Sequence, residues 1–443
     1  MTSRGSDIRR LAPLAILVAV LVGGGRCAAQ PSAARLDFAP MDMGLEEAVA
    51  WALQNNPELT TFRSQRGIAS ANLVIARTFP FNPVLSVQPA YVHGRSADVV
   101  SNPVDTQVTV IMPLEVRHQR RFREQEAIAA LSRTECEILA QETAATVRVA
   151  RAYWGTLYRI EKLRLLEVTA NLNRETADQI RKLVDQGRLR GADWILARTE
   201  VDDTRSQTNI AKIALSIAQG ELIRAIGMTD PNLAVRGKLE VPPIATDLEA
   251  LTQIALQRRA DLQAKQTMVH EAEARLRLTI ADRFGNPSIG PYYQFDQSSL
   301  HFVGAQVNVP IPVFNLKRGE IQQKEAELVQ FSLAARQVET QVRQDVAAAR
   351  SRWASAHQGV ETYNKEILPN LRESLAGIER LFAQGEPGVD VLRLIDMRRK
   401  SLRADDGYLD ALWEVLQAQA DLAAATGDPS LVVPALRSAE APR

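Results

Sequence analysis

The chain has 443 residues, with 53 Lys plus Arg against 52 Asp plus Glu and a net charge of +1, so it offers no bulk electrostatic attraction to nucleic acid. Hydrophobic residues make up 46% and charged ones 24%, ordinary for a folded chain, while 5% aromatic is lean and suits long helices rich in Ala, Leu, Arg, Glu and Gln. Cys27 and Cys136 are its only cysteines, which makes a disulfide framework or a cysteine metal cluster untenable.

The first 29 residues read as a secretory signal peptide. Arg4, Arg9 and Arg10 precede an apolar run from Leu11 to Val22, and Cys27-Ala28-Ala29 supplies a small-residue cleavage site before Gln30. The run is shorter than the roughly 20 residues of a spanning helix, which argues against an uncleaved anchor. Cys27 raises the alternative of a lipid anchor, although Gly24-Gly25-Arg26 lacks the aliphatic and small residues of a lipobox. Residues 30–43 read as a flexible lead. Beyond the signal region no apolar run approaches 18 residues, so the chain offers no transmembrane helix; an exported chain can still cross a membrane as a barrel.

From Leu45 the chain is written twice. Leu45-Glu46-Glu47-Ala48-Val49-Ala50-Trp51-Ala52-Leu53-Gln54 returns as Leu248-Glu249-Ala250-Leu251-Thr252-Gln253-Ile254-Ala255-Leu256-Gln257. Asn82-Pro83 answers Asn286-Pro287, Gln186-Gly187 answers Gln384-Gly385, and Gly227 answers Gly427. The period of about 200 residues far exceeds a solenoid unit of about 20 to 50 and defines two equivalent halves.

The first half, 44–226, opens with a helix and continues into a strand pair within 83–114. Leu85, Val87 and Tyr91 alternate with Ser86, Gln88 and Ala90, and Val108, Val110 and Met112 alternate with Gln107, Thr109 and Ile111. Between Pro113 and Gly187 the only breaker is Gly155, which allows a helix of roughly 70 residues, about 105 Å long. Ala145, Val149, Ala152, Thr156, Ile160 and Leu163 form its buried stripe. Residues 227–246, with Pro231, Pro242 and Pro243, connect the halves.

The second half, 247–427, repeats the plan, with its strand pair within 286–314. Ile289, Pro291, Tyr293 and Phe295 alternate with Gly290, Tyr292 and Gln294; Val303, Ala305 and Val307 alternate with Gly304, Gln306 and Asn308. Its helical stripe runs Leu328, Phe331, Ala335, Val338, Val342, Val346, Ala349, Trp353 and Ala356. The tail, 428–443, carries three prolines and reads as disordered.

On the helices alone a soluble bundle is the plainer reading. Period-2 segments of about 10 residues, apolar on one face and small or polar on the other, are also the pattern of membrane-spanning strands. Each pair is flanked by long helices with no partner sheet in sequence, which favours the membrane. Four strands cannot close a barrel, and an open edge in lipid leaves backbone groups unsatisfied, so closure demands further copies of the chain. Nothing in the residues fixes how many.

No catalytic or metal constellation is visible. His93, His118, His270, His301 and His357 are scattered, and no HExxH, CxxC or phosphate-cradling loop occurs. The chain is not expected to be an enzyme or to carry a cofactor or metal.

Leu45-Glu46-Glu47-Ala48 leading to Asn55-Asn56-Pro57-Glu58-Leu59, the Asn-Pro before each first strand, and Val309-Pro310-Ile311-Pro312-Val313-Phe314-Asn315 with Gly319-Glu320-Ile321 behind it resemble the TolC family of outer-membrane efflux proteins. The last string is most similar to the branch serving heavy-metal exporters of the resistance-nodulation-division type, the CzcC/CusC-like group. The resemblance spans about Leu45 to Gly427. It implies a mainly α protein with membrane β: a long helical coiled-coil barrel plus four strands per protomer, which close a 12-stranded β-barrel as a homotrimer.

The implied function is a passive duct in the outer membrane, extending into the periplasm. It would carry heavy-metal cations or drugs from an inner-membrane resistance-nodulation-division pump through a periplasmic adaptor protein. A periplasmic coiled-coil adaptor or scaffold is the alternative. By resemblance, Gln186, Gly187, Arg188 and Leu189, with Gln384, Gly385 and Glu386, lie at the periplasmic tip and meet the adaptor, and Asp390, Arg393 and Asp193 line the aperture. A first-turn or N-cap carboxylate is the plain alternative for both aspartates. Arg393 stands where a second acidic ring is expected, and Phe382 and Pro387 where polar locking partners are, so Arg393 is expected to pair with or offset Asp390.

Overall fold

The computed structural model describes residues 41–91, 104–229, 233–242, 244, 247–384 and 391–434. The signal segment with Cys27, and the expectations placed on Gly385, Glu386, Pro387 and Asp390, lie outside the described residues.

In chain order the elements are β1 (Met41–Met43), α1 (Leu45–Asn55), α2 (Pro57–Arg77), β2 (Val84–Tyr91), β3 (Val104–Pro113), α3 (Gln119–Asp185) and α4 (Gly191–Ile226). The second half follows with β4 (Leu233–Val235), α5 (Leu248–Arg258), α6 (Ala260–Ala281), β5 (Ser288–Phe295), β6 (His301–Asn308), α7 (Arg318–Thr362), α8 (Leu368–Gln384) and α9 (Val391–Thr426). No helix among the described residues is long and apolar enough to cross a membrane.

Local chemistry sets the joints. The Glu47 carboxylate accepts the Gly44 N–H at 2.8 Å and starts α1. Asn56 starts α2 by accepting the Glu58 N–H at 2.9 Å, with Pro57 in the first turn. Asp247 performs the same task for α5, accepting from Ala250 at 3.2 Å. The 67 residues of α3 span about 100 Å. Gly155, its one internal glycine, makes room for a neighbour: a Cβ there would sit 3.1 Å from the Trp413 ring of α9, which stacks on Tyr158 at 5.4 Å.

Each predicted stripe is buried along part of its length and half-buried over the rest. Ala145, Val149 and Thr156 are buried in α3, and Val342, Val346, Ala349 and Trp353 in α7. The second-half helix departs from a simple run at Tyr363–Ile367, where one π-helical turn separates α7 from α8.

Two expectations are corrected at the ends of the described residues. The lead is structured from Met41, because β1 pairs in parallel with β4 of the connector and Met43 is buried. The tail is not disordered at its start: Pro429–Leu431 forms a short helical turn, and Leu431, Val432 and Val433 enter the main core. Gln419 seals that contact by donating to the Leu431 carbonyl at 2.7 Å. The prolines in the tail prevent a long helix, yet three consecutive apolar side chains are still driven from water.

The remaining strands form one antiparallel sheet in the order β2-β3-β5-β6. The two hairpins, one from each half, meet along β3 and β5. Opposite residues share a face, so the register lines up Val87, Val108, Tyr293 and Val303 in one apolar row and Gln88, Gln107 and Gln294 in a polar row on the other face. The apolar side is open to the surroundings: Val303 is 82% exposed and Leu85 64%.

Candidate functional site: membrane hairpins and tunnel tip

The sheet has two free edges, β2 and β6, within this chain. An apolar outer face, a polar inner face and open edges cannot coexist in lipid unless other copies complete the ring. Close approach is built into the polar face. A Cβ on Gly290 would lie 1.6 Å from the Val110 carbonyl oxygen, so only glycine fits against β3 there.

Below the sheet, ion pairs hold α9 between α3 and α7. Arg352 reaches Asp421 at 2.6 Å and Glu414 at 2.7 Å, and Arg151 also bonds Asp421. Lys162 of α3 bonds Asp406 at 2.9 Å and Asp410 at 3.2 Å. Burial alone would lower the Lys162 pKa, but Asp406 and the Tyr158 hydroxyl outweigh it and raise it, so the charge is fixed across the helix pair.

At the far end α3 turns into α4. Gly187 takes a left-handed φ of +72°, with its N–H bonded to the Val184 carbonyl at 2.9 Å and the Arg188 N–H to the Leu183 carbonyl at 2.9 Å. This double bond pattern is a Schellman ending, which explains the glycine physically. Gln186 caps α3 and is exposed, as are Gly187 and Arg188, whereas Leu189 is half-buried. Asp193 accepts the Arg190 N–H at 3.0 Å, so its carboxylate has a first-turn capping task. Gln384 is exposed at the end of α8, and Arg393 is exposed in the first turn of α9.

The helix pairs α3–α4 and α8–α9 share a small core at this end. Ala177, Ile180, Ala197, Val391 and Ile395 are buried together, with Leu189, Trp194 and Phe382 packed on them. Phe382, at the position where a polar partner was expected, therefore serves packing. Sequence reasoning missed the polar clamp around this core. Arg399 of α9 bonds the buried Glu200 of α4, with its Nε at 2.8 Å, and Arg398 bonds Glu379 at 2.8 Å and also the Thr176 hydroxyl. Trp194 lies between Arg181 and Arg198, whose guanidinium carbons are 5.6 and 5.5 Å from the ring centroid. Trp194, beside Asp193, was the one visible signal; Arg399 and Glu200 stand 199 positions apart and left none.

A hairpin sheet shared between two repeats and mounted on long helices, of which α3 spans about 100 Å, defines a β-barrel channel with a helical tunnel. The profile of the family described as Outer membrane efflux protein matches residues 49–228 and 251–428, so the chain belongs to that family. A search of curated proteins returned no match.

Solved structures share the fold. A membrane protein from Pseudomonas aeruginosa is 19% identical, with a TM-score of 0.71 over 86% of this chain and 92% of that one. CusC is 18% identical, with a TM-score of 0.72 over 87% and 92%. The open state of the MtrE outer membrane channel of Neisseria gonorrhoeae is 17% identical, with a TM-score of 0.67 over 86% and 88%.

The protein is an outer-membrane efflux channel extending into the periplasm, a duct and not an enzyme. It works as a homotrimer with a periplasmic adaptor and an inner-membrane resistance-nodulation-division pump. Three copies of the four-stranded sheet close the 12-stranded barrel, which sets aside the adaptor alternative.

Proposed function

We propose that the cargo includes heavy-metal cations and that Asp390, Arg393 and Asp193 surround the periplasmic aperture, with Gln186, Gly187, Arg188, Leu189, Gln384, Gly385 and Glu386 meeting the adaptor. The observation that carries this reading is the joint tip core, in which Val391 and Ile395 of α9 pack on Ile180 of α3 and Ala197 of α4. That packing fixes the starts of α4 and α9 relative to each other. Three copies of an acidic side chain around one axis attract cations and repel one another. The metal preference is supported by the Val309 to Asn315 string and its likeness to the heavy-metal branch.

Single-channel recording in a planar bilayer tests the aperture: Asp390→Ala should weaken block by divalent cations, and unchanged block removes Asp390 from the gate. Deleting the gene should sensitise cells to metals in a panel that also holds dyes and detergents. Sensitivity confined to the dyes and detergents overturns the metal assignment.

A further inference from the structure

We infer that the junction between the sheet and the tunnel binds an anionic phospholipid headgroup of the periplasmic leaflet, with the phosphate held between Arg283 and Lys317. A cavity of about 470 Å³ opens there, lined by the apolar Phe81, Phe284 and Ile311 and by the charged Asp282, Arg283 and Lys317. Arg123 and Glu115 also line it but are committed to each other through a two-pronged bond of 2.6 and 3.3 Å. The Arg283 Nε is buried without a hydrogen-bond partner, a costly state for a guanidinium unless an acceptor arrives. Two acids stand near these cations: Asp282, whose carboxyl burial pushes up, and Glu320, whose carboxylate lies 3.4 Å from the Lys317 Nζ and would yield that ammonium to a phosphate.

Two further observations point to an anion. The helices α3 and α7 both begin at this level, after His118 and Lys317 in left-handed conformations with φ of 60° and 53°, and neither has a side-chain cap. The N-terminal N–H groups of a helix favour negative charge, which in α7 Glu320 of the first turn already supplies in part. Gln119, the first residue of α3, bonds Asn286 of the cavity wall at 2.6 Å. The two ends of the sheet also differ in charge: Arg117, Arg120, Arg121, Arg283, Lys317 and Arg318 flank the strands at the helical end, against Glu115, Asp282 and Glu320. Among the described residues its hairpin end carries Asp105 and Asp296 and no Lys or Arg.

Depth selects the ligand. Strands of 8 to 10 residues cross the apolar band, so the junction falls at headgroup level, on the periplasmic side because the helices lie there. Exposed Ile311, Val313 and Phe314 beside Lys317 suit acyl chains next to a phosphate. This inference rests on the outer-membrane channel reading.

The test is native mass spectrometry of the purified full-length trimer equilibrated with equal phosphatidylglycerol and phosphatidylcholine. Wild-type trimer should retain phosphatidylglycerol preferentially. Arg283→Gln and Lys317→Gln should each cut that preference by about fivefold. Arg164→Gln, removing a 76% exposed side chain from the α3 surface, should leave it unchanged. Equal retention of both lipids by the wild type, or an undiminished preference in the two single variants, overturns the site. Loss of the preference in millimolar inorganic phosphate reassigns it to free phosphate. Conductance of the same preparation separates the two readings: a conducting trimer without lipid preference sinks only this inference, whereas a preparation that neither trimerises nor conducts sinks the channel.

Discussion

Gly227 is pressed against Asn56: its φ is +79°, and a Cβ on it would stand 3.0 Å from the Asn56 Cα. Asn56 answers by donating its Nδ2 to the Ala225 carbonyl at 3.1 Å, which pins the α1–α2 joint to the end of α4. Gly427 repeats the contact in the second half, with φ +67° and a notional Cβ 3.2 Å from the Arg259 Cα at the α5–α6 joint. Gly187 shares the backbone conformation but has open space around it. Gly187→Ala should therefore cost only the left-handed penalty, about 1–2 kcal/mol. Gly227→Ala adds a backbone clash and should cost about 2–4 kcal/mol. Thermal melting of the trimer checks the order; equal losses would show that the Asn56 contact is not tight.

Tyr153 ties the long helix α3 to the β1–β4 pair. Its hydroxyl lies 3.3 Å from the Met43 carbonyl and also bonds the Arg236 carbonyl. Burial pushes its pKa up to about 12. A raised folded pKa means the contribution is full below the unfolded value near 10 and is lost as pH rises from about 10 to 12. Tyr153→Phe should lower stability by about 1–2 kcal/mol at pH 8 and flatten the decline between pH 10 and 12. A variant that melts in parallel with the wild type across that window removes Tyr153 from the linkage.

Arg399 and Glu200 clamp the tip hairpins. Glu200 is 8% exposed and Asp203 lies one turn on, so removing the guanidinium leaves a nearly buried charge uncompensated. Arg399→Ala should cost about 1–3 kcal/mol, discounted because Arg399 itself is half exposed. Adding Glu200→Gln should recover part of the loss in chemical denaturation. A double variant as weak as the sum of the singles would mean the two side chains act independently.

Asp193 has a task that needs no aperture. Its bond to the Arg190 N–H predicts that Asp193→Ala costs about 1 kcal/mol. Asp193→Asn, which keeps an acceptor, should recover most of that stability. If Asn restores stability but divalent block in bilayer recording stays weakened, the charge serves the aperture as well. Restoration of both would assign Asp193 to capping alone.

Much of the fold was legible because its signals are short-range along the chain. The period-2 segments set the hairpins, the spacing of Val342, Val346, Ala349 and Trp353 set the buried stripe, and Gly187 marked the reversal at the tip. The β1–β4 pair and the packing that follows α9 were not legible, since Met41–Met43, Leu233–Val235 and Leu431 to Val433 are too short to show a period. They matter only where three separate parts of the chain meet in one core.

The sequence by itself determined the duplication, the element types and the need for further copies, because repeats, periodicity and strand number can be read without knowing what touches what. Tertiary structure decided that the two hairpins join at β3 and β5, that Phe382 packs where a polar lock was expected, and that Glu200 finds Arg399. Those pairings link residues from about 180 to 200 positions apart, whose proximity depends on how the helices cross and on strand register. A side chain's own neighbours in sequence carry no record of either.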